Sequence, residues 1–188
     1  MEPLVAVYDA CVLYPYFLRD FLMWLGIHGR RQGALRVKWT GRIHREWMRA
    51  VLRRRPELRA ALPRTRRLMD AAVRGCRVRG YERWEARLEL PDANDRHVLA
   101  AALACVANVI VTFNIADFPP DLLRPFGVAA VTPDTFVHDL MESGIVVSAA
   151  AEHRASLQRP PLSPEAYLDA LRRNGLPGTA AALAPEHI

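Results

Sequence analysis

The chain has 188 residues, 26 Lys+Arg against 20 Asp+Glu and a formal net charge of +6, a length that suits one compact domain with a modest extension and excludes two independent cores. With 51% apolar and 24% charged residues, it falls outside the mostly disordered class. Lys38 is the only lysine, so the cations are almost wholly arginine; arginine forks suit phosphate and base recognition, but a GC-rich codon bias produces the same ratio.

Cys11, Cys76 and Cys105 are widely spaced and include no C-x-x-C pair, which argues against a disulfide framework or a zinc site and for a reducing, cytoplasmic setting. Glu2 stands where an export signal would carry a basic flank, and the apolar run after it is short, so no export signal is expected. The most membrane-like stretch, Val98 to Phe113, is interrupted by Asn108 and Thr112 and falls short of the ~20 residues that span a bilayer.

In chain order, Leu4 to Tyr8 is a short apolar run of the kind buried on both faces of a parallel sheet, ending at Asp9. Pro15 fits the first turn of a helix through Phe17, Phe21 and Leu25. A second strand is predicted around Leu35 to Trp39, and Thr40 is placed to cap a helix with the apolar stripe Ile43, Trp47, Ala50, Val51. Pro56 and Pro63 punctuate further helical segments up to about Val73, and Gly75 and Gly80 mark turns. Short polar residues at Asp92 to Asp95 precede a helix over Arg96 to Val106; Asn108 breaks it, and Val109 to Phe113 follows as another buried strand. A last strand near Val128 to Val131 leads into a helix capped by Thr132. Strands alternating with helices predict an α/β three-layer sandwich with a mainly parallel sheet. After Gly144 the sequence becomes Ala-rich helix, a Pro160-Pro161 break and a helix opened by Ser163-Pro164-Glu165. The expected division is therefore residues 1–143 as the main domain and 144–188 as a helical extension.

In an open parallel sheet, ligands bind beyond the carboxyl ends of the strands at the switch in strand order. That rule selects Asp9 and the segment Asn114 to Asp117, and the same rim receives the start of the Arg96 helix with Asp92 and Asp95. Glu46 lies ~60° from Ile43 and ~40° from Ala50 on a helical wheel, at the border of the buried stripe, with Arg42, Arg49 and Arg53 beside it. Each acid has a plain structural reading as well: Asp9 and Asp92 as caps, Asp95 completing a capping-box-like pair, Glu46 in an ion pair with Arg42 or Arg49, Asp117 as a turn residue. Their joint arrival at one rim is what points to a divalent cation, since unpaired carboxylates would repel. Oxygen donors of this kind suit Mg²⁺ or Mn²⁺, whose chemistry is phosphodiester hydrolysis, and an arginine periphery would hold a polyanionic strand over the acidic centre.

These segments, Val-Ala-Val-Tyr-Asp9, Glu46, Pro91-Asp92-Ala-Asn-Asp95-Arg-His-Val-Leu-Ala and Val-Ile-Val-Thr112-Phe-Asn114-Ile-Ala-Asp117-Phe-Pro, resemble PIN domains, and within them the VapC-type toxins of bacterial toxin–antitoxin pairs. The resemblance covers roughly residues 3 to 140. It implies a Mg²⁺- or Mn²⁺-dependent endoribonuclease, typically a homodimer, neutralised by a small VapB-like antitoxin protein. Position by position, Asp9, Glu46 and Asp95 match the first three family acids, and Thr112 matches the family's strand-end threonine. The fourth acid falls on Asn114, which offers a carbonyl oxygen but no charge, so Asp117 is expected to contribute in its place and Asp92 is an additional candidate. Substrate contacts are expected from Thr112, Arg42, Arg49 and Arg53. His44 and His97 are left out of the site, His97 because it stands two residues past Asp95 and faces another way. The arginines from Arg53 to Arg67 read as a solvated face or an RNA track, and the four tryptophans as core or interface. A phosphoryl-transfer reading of the haloacid-dehalogenase or response-regulator type is opposed by Cys11, which stands where a second acid is needed, and by Lys38, which lies too early to be the strand-end lysine of that chemistry. Asn114 leaves open a non-catalytic RNA-binding module, and a nuclease that processes RNA without a toxin role is the other alternative.

Overall fold

The computed structural model describes residues 2–186. The apolar run Leu4–Tyr8 forms β1, in which Ala6, Val7 and Tyr8 are fully buried. Asp9 turns the chain into the single helical turn α1 (Ala10–Leu13), and α2 (Tyr16–Arg31) follows. Pro15 stands one residue ahead of α2 with extended backbone, φ −69° and ψ 122°, and not in its first turn.

β2 (Leu35–Lys38) precedes α3 (Gly41–Arg54), whose entry Thr40 caps: its Oγ1 accepts the Ile43 N–H at 3.1 Å. A 3₁₀ turn at Pro56–Ala60 leads to α4 (Leu62–Ala72), and α5 (Glu82–Glu85) and a 3₁₀ turn at Ala93–Asp95 lead to α6 (Arg96–Ala104). β3 (Val109–Val111), a 3₁₀ turn at Ile115–Asp117, α7 (Pro120–Leu123), β4 (Ala129–Val131) and α8 (Pro133–His138) complete the sheet. Three more helices follow: α9 (Ile145–Ser156), α10 (Pro164–Arg173) and α11 (Pro177–Leu183).

The four strands are parallel throughout, in the order β2-β1-β3-β4. The chain leaves β1 toward β2 and returns past β1 to β3, so right-handed crossovers put α2 on one face of the sheet and α6 and α7 on the other. This is the α/β sandwich predicted from the sequence. The switch in strand order lies between β1 and β3, where Tyr8 is in register with Val111, and the next residues, Asp9 and Thr112, emerge side by side at the carboxyl edge.

The described residues after Gly144 are packed against this layer structure. His153 of α9 lies 4.9 Å from the ring of Phe17 on α2 and its Nδ1 is 2.9 Å from the Tyr167 hydroxyl on α10. Asp134 of α8 accepts the N–H groups of Gly178 and Thr179 and the Thr179 hydroxyl, each at 2.8 Å, which caps α11 and ties it to the first turn of α8. Ile145, Ala149, Tyr167 and Leu183 belong to the same buried cluster as the sheet residues. Among the described residues no helix is long and apolar enough to cross a membrane.

The sequence predicts a helix running through Val106, but α6 ends at Ala104 and Val106 takes a left-handed conformation, φ 52°, so that Ala107 N–H reaches back to the Ala102 carbonyl at 2.8 Å. Closing the helix this way suits glycine, whereas a β-branched residue in that region is strained, and Val106 is 83% exposed, so its side chain gains little in return. Val106→Gly is therefore expected to raise the unfolding free energy by about 1 kcal/mol in urea titrations; an equal loss would contradict this account of the helix end.

Candidate metal centre

Asp9 carries the geometry of the site. Its Oδ1 accepts the Ala10 N–H at 2.5 Å, and its Oδ2 accepts the Thr112 hydroxyl at 2.8 Å and the Cys11 thiol at 3.1 Å. The cap role read from the sequence is thus present, and it occupies one oxygen while the other is anchored to β3. Burial, and then the charge of Asp9, push the Cys11 thiol up to about 12, so at neutral pH it is a hydrogen-bond donor and not a thiolate. Thr112 is fully buried and also accepts the Asn114 N–H at 3.0 Å. It braces Asp9 and orients the loop after β3; it is not exposed to meet a substrate, which corrects the expectation that it binds one.

Glu46 is brought in by α3. Its Oε1 accepts from Arg42 Nε at 3.1 Å and faces His97 Nε2 at 3.0 Å, and Oε2 has no protein partner among the described residues. Burial pushes the Glu46 carboxyl up, but His97 and Arg42 outweigh it and hold it below the usual range. Arg42 also donates to Glu85 Oε1 at 2.7 Å and to the Asn94 carbonyl at 3.2 Å. It is therefore a clamp joining α3, α5 and the turn that carries Asp95, and the donors expected to bind substrate are engaged within the protein.

His97 is 1% exposed and belongs beside Glu46, which corrects its exclusion. Asp95 lies in the 3₁₀ turn before α6 and not on the helix itself, so helical spacing does not set the direction of His97 relative to it. A half-buried acid on the facing helix, with room for a second donor, is the signal that would have found it. His44 does stand apart: buried, it bonds Asp70 Oδ1 through Nε2 at 2.8 Å and accepts from Trp47 Nε1 at 2.9 Å through Nδ1.

Asp95 has no hydrogen bond to its carboxylate among the described residues. Burial first, then the charges of Asp9, Asp92 and Asp117, push it up to about 6. Asp92 accepts Asn94 N–H at 2.8 Å and so caps the 3₁₀ turn; the capping pair with Asp95 does not form. Asp9, Glu46, Asp95 and Asn114 line one open cleft of about 500 Å³ together with Tyr14, Trp47, Arg53 and Arg54. Asp117 and Asp92 are not on its wall, and Asp117 acts on Asp95 through its charge. Arg53 is on the wall; Arg49 is exposed and is not. Among the described residues no three His, Cys, Asp or Glu side chains are gathered closely enough to ligate an ion by themselves. Oxygen donors on three separate segments, with an uncompensated negative charge between them, fit a hard cation that keeps much of its water and takes only one or two carboxylates.

Two family profiles match the chain: the PIN domain, over residues 5–116, and the VapC50 C-terminal domain, over residues 133–185. The chain belongs to the PIN domain family. It is also 42% identical over 80 residues to "Putative ribonuclease VapC50" of Mycobacterium tuberculosis, a stretch covering 41% of this chain and 47% of that protein. The matched stretch thus spans about half the length of the curated relative. No solved structure matches the chain.

A carboxyl raised in the folded state is least costly when protonated, so the contribution of Asp95 to stability is greatest below its ordinary pKa near 4 and is lost as the pH rises through about 6. In EDTA, Asp95→Asn is expected to raise the melting temperature at pH 7.5 by roughly 2–4 °C, with no gain at pH 4. A variant less stable than the parent at pH 7.5 would show that the acids are not in mutual repulsion.

Proposed function

We propose that this PIN-domain chain is a Mg²⁺- or Mn²⁺-dependent endoribonuclease and the toxin of a toxin–antitoxin pair. The observation that supports it most is the convergence of Asp9, Asp95 and Glu46 on one cleft, with Asp95 pushed up to about 6 by burial and its acidic neighbours. A bound divalent cation would supply phosphate activation and a more acidic water. In this reading Asp9 and Asp95 hold the cation, and Asn114 adds a neutral carbonyl oxygen where the family pattern has a fourth acid. Asp117 and Asp92 contribute charge to the same field. Glu46, ionised at neutral pH, keeps one oxygen on Arg42 and His97 and leaves the other to accept a hydrogen bond from water in the cleft. Arg53 and Arg54, on the cleft wall, hold the phosphates of the strand, which is how a basic protein can present an acidic centre to RNA.

The partners follow from the same reading: RNA as substrate, a VapB-like antitoxin protein that neutralises the enzyme, a second copy of the chain in a homodimer, and a cytoplasmic setting. Residues 1–143 carry the nuclease, and residues 144–188, of which 187 and 188 lie outside the described residues, are the extension, whose helices support α2 through Phe17 and His153. A second reading, a PIN-like RNA-binding module without catalysis, is favoured by one observation, the neutral Asn114 on the cleft wall.

Purified protein is expected to cleave RNA with Mg²⁺ or Mn²⁺, to stop on addition of EDTA, and to lose at least about 100-fold in rate as Asp9→Asn. Cleavage that survives EDTA would refute the metal-nuclease reading, and RNA binding without cleavage would establish the second one. Arg42→Ala, which frees Glu46 and the Asp95 turn at once, is expected to weaken Mn²⁺ binding about 10-fold by calorimetry; unchanged affinity would remove the clamp from the site.

A further inference from the structure

A second cavity adjoins the acidic cleft. It holds about 240 Å³ and is lined by Tyr14, Tyr16, Arg19, Val51, Leu58 and Leu62 among others. Tyr14 lines both cavities, so whatever occupies the second sits next to whatever occupies the first. Its volume is below the range of pockets for drug-sized ligands and suits one planar ring system.

Arg19 is the feature that needs explaining. It is 8% exposed on α2, its Nη1 donates to the Leu13 carbonyl at 3.1 Å, and its guanidinium carbon stands 4.8 Å from the centre of the Trp47 ring. Its Nε is buried with no hydrogen-bond partner among the described residues; Asp20 Oδ1, on a half-exposed side chain, is 3.7 Å away. A buried guanidinium with a donor unspent is costly, and this one is held rigid by Trp47, which itself lines the acidic cleft. At the mouth, Tyr16 is 69% exposed at the start of α2, an aromatic face that the fold does not use. Arg55, paired with Glu57, stands at the rim.

We infer that this cavity is a nucleobase subsite, which takes an unstacked base of the RNA strand beside the scissile phosphate and prefers the keto bases guanine and uracil. The inference rests on the nuclease reading above. Apolar walls at Val51, Leu58 and Leu62 suit the faces of a base and would strip the hydration from a phosphate. Tyr16 offers a stacking surface. Arg19 lines the cavity with donors and no acceptor; with Nη1 on the Leu13 carbonyl and Nε shielded, its remaining N–H groups read a single carbonyl, guanine O6 or uracil O4, and turn away the exocyclic amino group that adenine and cytosine present at the same place.

The test uses the full chain as Asp9→Asn, to suppress cleavage, with unstructured RNA nonamers that vary one position at a time, read by fluorescence anisotropy. At one position guanosine or uridine should bind about 10-fold tighter than adenosine, cytidine or an abasic nucleotide. Tyr16→Ala, at an exposed position that folding does not need, should cost about 10-fold, Tyr16→Trp should restore the affinity, and Arg19→Gln should erase the preference between bases. RNA that binds with no base preference at any position, or that is indifferent to Tyr16→Ala, overturns the subsite while leaving the nuclease reading intact. A Tyr16→Ala variant that keeps its RNA affinity but loses a protein partner assigns the cavity to that partner and overturns it also. A chain that neither binds nor cleaves RNA refutes the nuclease reading, and the subsite falls with it.

Discussion

The hydrogen bond from Thr112 to Asp9, 2.8 Å long and joining residues at the ends of β1 and β3, is the constraint on which the site depends. Both strands are buried on both faces and stand at the centre of a parallel sheet, so their ends cannot drift apart without breaking the core. The strand order reverses there, which opens the crevice that such sheets use for ligands. Thr112 fixes one oxygen of Asp9 and, through the Asn114 N–H, the direction of the loop after β3. One hydroxyl therefore positions an acid and a neutral oxygen donor from segments a hundred residues apart.

Around that fixed point the charges fall into two tiers. Glu46 is compensated, by Arg42 and His97, and remains ionised; Asp95 is not, and its carboxyl is pushed up toward neutrality. The fold thus stores an unfavourable interaction in the one place where a cation would relieve it, the usual trade of stability for function. The net charge of +6 averages this acidic cleft with an arginine-rich surround, of which Arg53 and Arg54 reach the cleft itself. Not every basic feature serves it: a groove of about 320 Å³ lined by Arg30, Arg36, Lys38 and Arg74 runs along β2 and contains no acid.

Legibility followed the range of the physics. β1, β3 and the caps at Thr40, Thr132 and Ser163 were readable because apolar runs and capping residues act within a few positions; the strand-end rule pointed to Asp9, Asp92, Asp95 and the segment Asn114 to Asp117, and the helical wheel added Glu46. The contacts that tune those acids were not readable. Arg42 meets Glu85 and Asn94 more than forty residues away, and His97 meets Glu46 across two helices. The helical wheel failed at Asp95 because a 3₁₀ turn interrupts the period just before α6. Arg19, which looks like an ordinary helix arginine in sequence, is buried against Trp47, and its unsatisfied donor exists only in three dimensions.

The cleft holds its carboxylates against their own repulsion, which a bound divalent cation would relieve. The most direct measurement is the proton released on binding Mn²⁺, obtained by calorimetry in buffers of different ionisation enthalpy. With Asp95 titrating at about 6, binding at pH 6 should release about half a proton per ion, falling to almost none at pH 8. Binding with no proton release at pH 6, or no binding at either pH, would contradict the account.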